Sequence, residues 1–140
     1  MVRNSCVVAC CGFVLLLSAC ASGGGETLRI DTRDVLGVGH LPESINAMLS
    51  ELGYEWVPIL DPNAHRKVKT VQKDGEWSMR FEYVQNRRVR IDARMGMYDN
   101  RTRLHFYEVD GMNLSASSMT LLEKLKQRAD RQFGPENVSY

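Results

Sequence analysis

The side chains that most often perform chemistry in proteins are few in this chain and are widely spaced. The three histidines, His40, His65 and His105, stand too far apart to match the short spacings of zinc sites, so we expect surface or loop positions for them. The serines of Ser115-Ala116-Ser117-Ser118 are explained by helix capping, and the Gly-x-Ser-x-Gly motif of hydrolases does not occur. The sequence therefore predicts no metal site, no cofactor and no catalytic nucleophile.

Two pairs of carboxylates are the nearest candidates for general acid–base catalysis. Asp31 and Asp34 flank the end of a predicted strand, where they are expected to stabilise a turn. Glu82 and Asp92 are expected to face arginines on neighbouring strands. A hydrolase or transferase whose pocket gathers Asp31 and Asp34 with His40 or His105 remains an alternative, although we do not expect an enzyme.

Arginines supply the clearest candidate binding feature, because six of them crowd the predicted turns and the polar face of one sheet. They are Arg87, Arg88, Arg90, Arg94, Arg101 and Arg103. Guanidinium groups bind phosphates and carboxylates with good geometry, so one interpretation is a site for an anionic partner. The other interpretation is a solvated face with cross-strand ion pairs, each of which stabilises little. We prefer the second, because Glu82 and Asp92 already account for two arginines.

The four cysteines all lie within the first 20 residues, in a segment with the pattern of a secretion signal. They are Cys6, Cys10, Cys11 and Cys20. Arg3 supplies one positive charge before an apolar run from Cys6 to Leu17, which is too short to cross a hydrocarbon core of ~30 Å as a helix. The run ends in Leu17-Ser18-Ala19-Cys20, an aliphatic residue and two small residues before a cysteine.

This tetrapeptide resembles the lipobox of bacterial lipoproteins, and we interpret the chain as a lipoprotein precursor. The resemblance implies that a diacylglycerol group is attached to the sulfur of Cys20 and that cleavage after Ala19 removes residues 1–19 as the signal peptide. Two or three acyl chains anchor a protein stably, whereas one chain binds only marginally. The alternatives are an ordinary secretion signal cut near Ala19 or Ala21, and an uncleaved membrane anchor.

The resemblance also indicates where the protein resides. Residues 20–26 would form the lipidated cysteine and a flexible tether rich in glycine and serine. Ala21 stands where many lipoproteins of the inner membrane carry aspartate, which implies the periplasmic face of the outer membrane. Cleavage would remove Arg3 and no acid, so that the 18 basic and 17 acidic residues of the precursor become 17 of each. A neutral chain has no overall field that recruits nucleic acid, so a nucleic-acid-binding protein is not expected.

Residues 27–140 are expected to form a single α+β domain, because both helical and strand periodicities occur. Pro42–Leu52 places apolar side chains on one face of a helix, and Gly53 follows as a stop. A second helix is predicted from Ser117 to Phe133, ended by Gly134-Pro135. Its apolar face would contain Met119, Leu122, Leu125, Ala129 and Phe133.

Strands account for most of the remaining sequence. Thr27–Asp31 and Tyr54–Ile59 are predicted strands, with Pro58 favouring an edge position in the second. A four-stranded antiparallel meander is expected from residue 67 to residue 109, with turns at Asp74-Gly75, Gln85-Asn86-Arg87 and Asp99-Asn100. Aromatic residues near these strands, among them Trp56, Tyr98 and Tyr107, are expected to pack. The predicted fold is a two-layer sandwich of two amphipathic helices and an antiparallel sheet, in which one or two further strands join the meander.

The turns specify a register for each hairpin. The first hairpin, between Lys67–Lys73 and Glu76–Val84, should pair Val68 with Phe81, Thr70 with Met79, Gln72 with Trp77, Lys67 with Glu82 and Lys73 with Glu76. The second should pair Tyr83 with Val89, Phe81 with Ile91, Met79 with Ala93, Glu82 with Arg90 and Arg80 with Asp92. In the second hairpin one register satisfies the apolar and the charged face together, as expected of a real pairing.

These patterns together predict a non-enzymatic lipoprotein of the bacterial cell envelope that binds or scaffolds another envelope component. Its partner would be an envelope protein or an anionic component such as a lipid phosphate. Besides the lipid-anchored hydrolase or transferase, an inhibitor or immunity-type lipoprotein that acts through the arginine-rich turns remains an alternative.

Overall fold

The structure, a computed structural model, describes residues 24–32, 41–96 and 100–140. In these residues it contains two α-helices, α1 (Leu41–Glu51) and α2 (Ala116–Phe133), and a 3₁₀ turn at Pro135–Asn137. The strands in chain order are β1 (Gly25–Asp31), β2 (Tyr54–Val57), β3 (Ile59–Asp61), β4 (Arg66–Val68), β5 (Val71–Lys73), β6 (Glu76–Tyr83), β7 (Asn86–Gly96), β8 (Arg101–Glu108) and β9 (Val138–Ser139).

Seven of the described strands form one antiparallel sheet. Six follow the order β2-β6-β7-β8-β1-β9, and β5 pairs with the part of β6 that β2 leaves open. The predicted meander is present as β5-β6-β7-β8, but three further strands join it instead of one or two. Strands β3 and β4 form a separate two-stranded ribbon.

Both helices pack on one face of the sheet, which we call the inner face. Alternate residues of β1, β6, β7 and β8 point to that side, and Leu28, Phe81, Ile91 and Phe106 are completely buried there. Ile45, Met48 and Leu49 of α1 and Leu122, Leu125 and Ala129 of α2 belong to the same buried cluster. The α+β class and the two layers are therefore confirmed.

The second hairpin confirms the central part of the predicted register. Phe81 pairs with Ile91, Met79 with Ala93, Glu82 with Arg90 and Arg80 with Asp92. The predicted turn Gln85-Asn86-Arg87 and the predicted pairing of Tyr83 with Val89 are wrong, because the turn is at residues 84–85 and Tyr83 pairs with Asn86. A bulge in β7 lies opposite the step from Glu82 to Tyr83. The Asn86 carboxamide accepts a hydrogen bond of 3.1 Å from the Arg88 backbone N–H, which stabilises the extra residues of the bulge.

The first hairpin is shorter than the sequence predicted. The pairs Gln72–Trp77 and Lys73–Glu76 are confirmed, whereas Val68, Lys67 and Thr70 do not pair with β6. The cause lies at Pro58, which has no N–H for a ladder and which separates β2 from β3. Strand β2 occupies the second half of the edge of β6, so Val68 pairs with Ile59 in the ribbon instead.

The ends of α2 form as predicted, and Leu122, Leu125, Ala129 and Phe133 of its predicted apolar face pack on the core, but Met119 does not. The Ser115 hydroxyl caps the helix by accepting from the Ser118 backbone N–H at 3.2 Å, and Gly134 ends it with a φ of 87°. Met119 was predicted to face the core but is 50% exposed, while the neighbouring Ser118 is buried. The serine turns inward because its hydroxyl has a partner there, the Ser115 hydroxyl at 3.1 Å.

Candidate functional site

The opposite side of the sheet, which we call the outer face, is polar. Within the described ranges, none of its residues belongs to the buried hydrophobic core. Because side chains alternate along each strand, the outer residues are the immediate chain neighbours of the core residues. They are Thr27, Arg29, Ser78, Arg80, Glu82, Arg90, Asp92, Arg94, Arg103, His105 and Tyr107.

A carboxylate held by an arginine lies near the middle of the outer face. The Arg80 guanidinium donates from Nε to Asp92 Oδ1 at 2.7 Å and from Nη2 to Asp92 Oδ2 at 3.1 Å, which is bidentate geometry. The Tyr107 hydroxyl is 3.3 Å from both oxygens and donates to them. The hydrogen bond to Asp92 raises the pKa of Arg80, and burial, followed by the charge of Asp92, raises the pKa of Tyr107. Asp92 is therefore a paired structural carboxylate, and its charge is balanced locally.

His105 lies beside this network and is held in place from two directions. Its Nδ1 is 3.0 Å from the Thr27 hydroxyl on the neighbouring strand, and its ring stacks on that of Tyr107 with centroids 5.4 Å apart. The register also places His105 directly opposite Asp92. His105 lies on the outer surface of the sheet, one of the two predicted positions, but it is half-buried and belongs to a central strand instead of a loop.

The next row across the sheet contains three arginines in direct succession. Arg94 of β7 is opposite Arg103 of β8, which is opposite Arg29 of β1. Directly opposed side chains have Cβ atoms about 4.5–5.5 Å apart, so the row concentrates like charges that repel each other. Glu76 is 3.9 Å from Arg94 and 4.0 Å from Arg103, so one carboxylate is shared at long range by two guanidinium groups. This arginine row, Arg29, Arg94 and Arg103, is electrostatically suited to an anion.

A shallow hollow connects the arginine row with the histidine network. It has a volume of about 260 Å³ and is lined by Thr27, Asp92, Arg94, Arg103 and His105. The Arg94 side chain is 67% exposed and is therefore accessible to a ligand. A phosphate or carboxylate group in this hollow would meet two guanidinium groups and a carboxylate that Arg80 already neutralises.

The six arginines of the sequence prediction do not form one patch. Arg87 and Arg88 lie at the start of β7, next to its turn with β6, where Arg87 contacts Glu55 and Arg88 donates to the Val109 carbonyl at 3.1 Å. Arg94 lies six residues further along β7, about 20 Å away at the rise of an extended strand. Arg90 lies between them and pairs with Glu82 at 3.1 Å.

Three of these arginines therefore lie in or next to the candidate site. Arg94 and Arg103 are in the row, and Arg101, opposite Asp31, begins the same strand. Arg29 completes the row but was missed from the sequence. Arg29 joins the row because β1 pairs with β8, which is more than 70 residues distant in the chain. No hairpin turn connects the two strands, so the sequence does not predict this pairing.

The other candidate residues do not join His105 in one pocket in the described part of the chain, and Asp31 lines a separate hollow of about 300 Å³ with Arg29 and Arg101. Asp31 is opposite Arg101 at the end of β1, and His65 has a φ of 50° in an exposed turn. Asp34, His40 and Tyr98 lie outside the described residues, as do Ala19 and Cys20. Among the residues that are described, no group of three or more histidine, cysteine or acidic side chains could hold a metal ion.

Similarity to other proteins gives no independent assignment. No protein-family model, no curated protein and no solved structure matches the chain. Neither helix in the described residues is both long enough and apolar enough to cross a membrane. The arginine row and its hollow are therefore interpreted from their geometry alone.

Proposed function

We propose that the mature chain is a lipid-anchored protein of the bacterial cell envelope that binds an anionic component through the outer face of its sheet. The observation that carries the binding proposal is the arginine row beside the hollow of about 260 Å³. The anchor is proposed from the lipobox resemblance of Leu17-Ser18-Ala19-Cys20. In this proposal the protein is a binding module and not an enzyme.

The composition of the chain supports a single acylation site. Residues 21–140 contain no cysteine, so Cys20 is the one cysteine that the cleaved chain keeps, and its sulfur would carry the diacylglycerol group through a thioether formed before cleavage. Acylation of the new amino group would add a further chain, and two or more chains give stable anchoring. Absence of aspartate at position 21 favours the outer membrane as the location.

Charge and fixed geometry support the binding of an anion on the outer face. Three neighbouring strands hold Arg29, Arg94 and Arg103 in a row, so binding does not have to order a flexible loop. An anion would add to the long-range contacts of Glu76 with Arg94 and Arg103 and would further reduce the repulsion between these guanidinium groups. The shared chemistry of the ligand is a phosphate or carboxylate group.

The anchor is tested by following processing of the precursor in cells. Replacement of Cys20 by serine should leave the precursor unprocessed and without acyl chains, because serine offers no thiolate to the transferase. Mass spectrometry of the wild-type protein should show a first residue Cys20 that carries diacylglycerol. A mature form that begins at another residue and carries no lipid would refute the anchor.

The anion site is tested with the acylated protein in neutral detergent, with inorganic diphosphate as the probe. The double change Arg94→Gln and Arg103→Gln should weaken binding by at least about tenfold, which corresponds to ~1.4 kcal/mol. The matched control, Arg87→Gln with Arg88→Gln, removes the same charge about 20 Å away and should leave the affinity within about twofold. Equal effects of the two double changes would show that only net charge matters and would refute the site.

A further inference from the structure

The position at which the tether enters the fold lies at one end of the sheet. Gly25, the first residue of β1, pairs with Tyr107 near the end of β8. Gly24 lies so close to the loop after β8 that a Cβ atom on it would be 2.5 Å from the Gly111 carbonyl oxygen and 2.7 Å from that of Met112. The chain therefore joins the domain beside Gly111 and Met112.

The length of the tether limits how far this position can lie from the bilayer. Gly25 is five positions after Cys20 in the chain, and a fully extended chain spans at most ~3.6 Å per position, or ~18 Å in all. Strand β7 alone has 11 residues and is roughly 36 Å long. Since the tether is about half as long as the sheet, an acylated Cys20 does not allow the domain to stand with only its opposite end against the same membrane.

The tether end of the domain, residues 84–88 with residues 109–113, has the composition of a membrane-contacting surface. Met112 is 87% exposed and Val84 is 53% exposed, although both are apolar. Arg87 and Arg88 lie beside Val84, and the Arg88 guanidinium reaches the carbonyl of Val109. Apolar side chains with adjacent arginines are favoured at the boundary between headgroups and acyl chains, and near anionic lipids.

The acidic residues at this end reduce its net charge. Glu55 pairs with Arg87, and Glu108 accepts hydrogen bonds from Ser115, so both carboxylates are engaged within the protein. Asp110 is exposed in the loop after β8. The exposed side chains of Met112 and Val84 therefore contribute more to contact with a membrane surface than electrostatic attraction to anionic lipids does.

We infer that the tether end lies against the phospholipid surface that holds the acyl chains, with Met112 in the interfacial layer and the strands directed away from the bilayer. This inference rests on the proposed anchor. It also deepens the proposed function, because it places the arginine row about 20 Å along the strands from the Arg87-Arg88 turn. The row would then meet anionic groups in the periplasm and would not reach the headgroups of its own leaflet.

Site-specific labelling of the acylated protein tests this orientation. After cleavage the chain has no free thiol, so one introduced cysteine can be labelled with a fluorescent probe. Met112→Cys places the probe at the tether end, and Lys73→Cys places it at the exposed β5–β6 turn at the opposite end of the sheet. The labelled proteins are reconstituted in vesicles of phosphatidylethanolamine and phosphatidylglycerol that contain a lipid with a fluorescence quencher on its acyl chain.

Quenching at position 112 should be several-fold stronger than at position 73. Equal quenching, or stronger quenching at position 73, would overturn the inferred orientation. If Met112→Cys fails to fold, Asn113→Cys replaces it, because residue 113 is also exposed at the tether end, and the same comparison with position 73 decides. Acylation is verified by mass spectrometry before reconstitution. If the proposed anchor is wrong, the mass shows no lipid. If only the orientation is wrong, the protein is acylated but quenching at position 112 does not exceed quenching at position 73.

Discussion

The inner and outer faces of the sheet use the same strands and the same backbone hydrogen bonds, yet they differ in almost every other respect. Phe106 is completely buried on the inner face, while its chain neighbours His105 and Tyr107 lie on the half-exposed outer face. The inner face has apolar contacts with both helices. The outer face has ion pairs, a histidine network and a row of like charges. Stability is therefore concentrated on one face, which leaves the composition of the other free for binding.

The free energies expected from burial and from ion pairs support this difference between the two faces. Full burial of an aromatic side chain removes 150–250 Å² from water, which at ~25 cal/mol per Å² stabilises the fold by roughly 4–6 kcal/mol before entropy is counted. Ion pairs between partly exposed side chains contribute a median of about 0–1 kcal/mol. The Arg80–Asp92 pair, with side chains 35% and 31% exposed, belongs near the upper end of that range because it is bidentate.

The largest expected effect comes from truncation of neighbouring residues on the two faces. Phe106→Ala should lower the free energy of unfolding by about 3–5 kcal/mol, since it opens a cavity among buried side chains. His105→Ala, one residue earlier, should lower it by about 1 kcal/mol, since it removes one hydrogen bond with Thr27. Urea unfolding of residues 21–140 measures both, and similar losses would contradict the division between the faces.

A smaller loss of stability is expected from substitutions in the hydrogen-bond network of Arg80, Asp92 and Tyr107 on the outer face. Asp92→Ala leaves the Arg80 guanidinium and the Tyr107 hydroxyl without the acceptor that they share, and should cost about 1 kcal/mol after allowance for solvent exposure. Arg94→Ala, in the next row, should cost nothing measurable or stabilise slightly, because it removes a charge opposite Arg103. If Arg94→Ala destabilises as much as Asp92→Ala, the arginine row has a structural role and its interpretation as a binding site is weakened.

The hairpins show which parts of the fold the sequence encodes locally. The register of Phe81 with Ile91 and of Arg80 with Asp92 follows from a short turn and from matching residues on both faces, so it was predictable. The bulge opposite Glu82 and Tyr83 depends on the Asn86 side chain, and hydrophobic alternation does not report such a contact. The ribbon was missed because strand propensity continues past Pro58, whereas the backbone ladder does not.

The candidate site could be predicted from the sequence only in part. Arg94 and Arg103 were identified because they surround one turn, which a linear sequence can show. Arg29 and Thr27 enter the site through the pairing of β1 with β8, and this contact is selected by packing of the whole sheet. The apolar residues of β1 predict that a strand exists but contain no information about its neighbour.

The inner face contains a polar exception that sharpens the comparison. Thr102 is completely buried among core residues, and its hydroxyl has no hydrogen-bond partner in the described part of the chain. Thr102→Val keeps the shape and should raise the free energy of unfolding by up to about 1 kcal/mol. Thr27→Val on the outer face is the matched control and should destabilise, because the Thr27 hydroxyl bonds to His105. If the urea midpoints of Thr102→Val and Thr27→Val shift in the same direction from that of the wild type, this explanation is contradicted.

A pH-dependent effect is expected at Glu108, the last inner-face position of β8, where the sheet is connected to α2. Its carboxylate accepts from the Ser115 hydroxyl at 2.6 Å and from the Ser115 backbone N–H at 2.8 Å. Hydrogen bonds from the Ser115 and Ser118 side chains, followed by the backbone bond, lower the pKa of Glu108 from 4.5 to about 2. The folded state therefore prefers the ionised carboxylate, which helps to hold the start of the helix against the sheet.

A lowered pKa sets the pH range of this stabilisation. The contribution is fully present above pH 4.5, the ordinary pKa, and is lost as the pH falls towards 2. Glu108→Gln should therefore be less stable than the wild type at pH 7, and the difference should shrink as the pH is lowered from 4.5 towards 2. Unfolding of Ser115→Ala and of the double variant completes a thermodynamic cycle, in which the two losses should not add, because both changes remove the same contact. A difference that stays constant between pH 7 and pH 3 would mean that Glu108 acts by its shape and not by its charge.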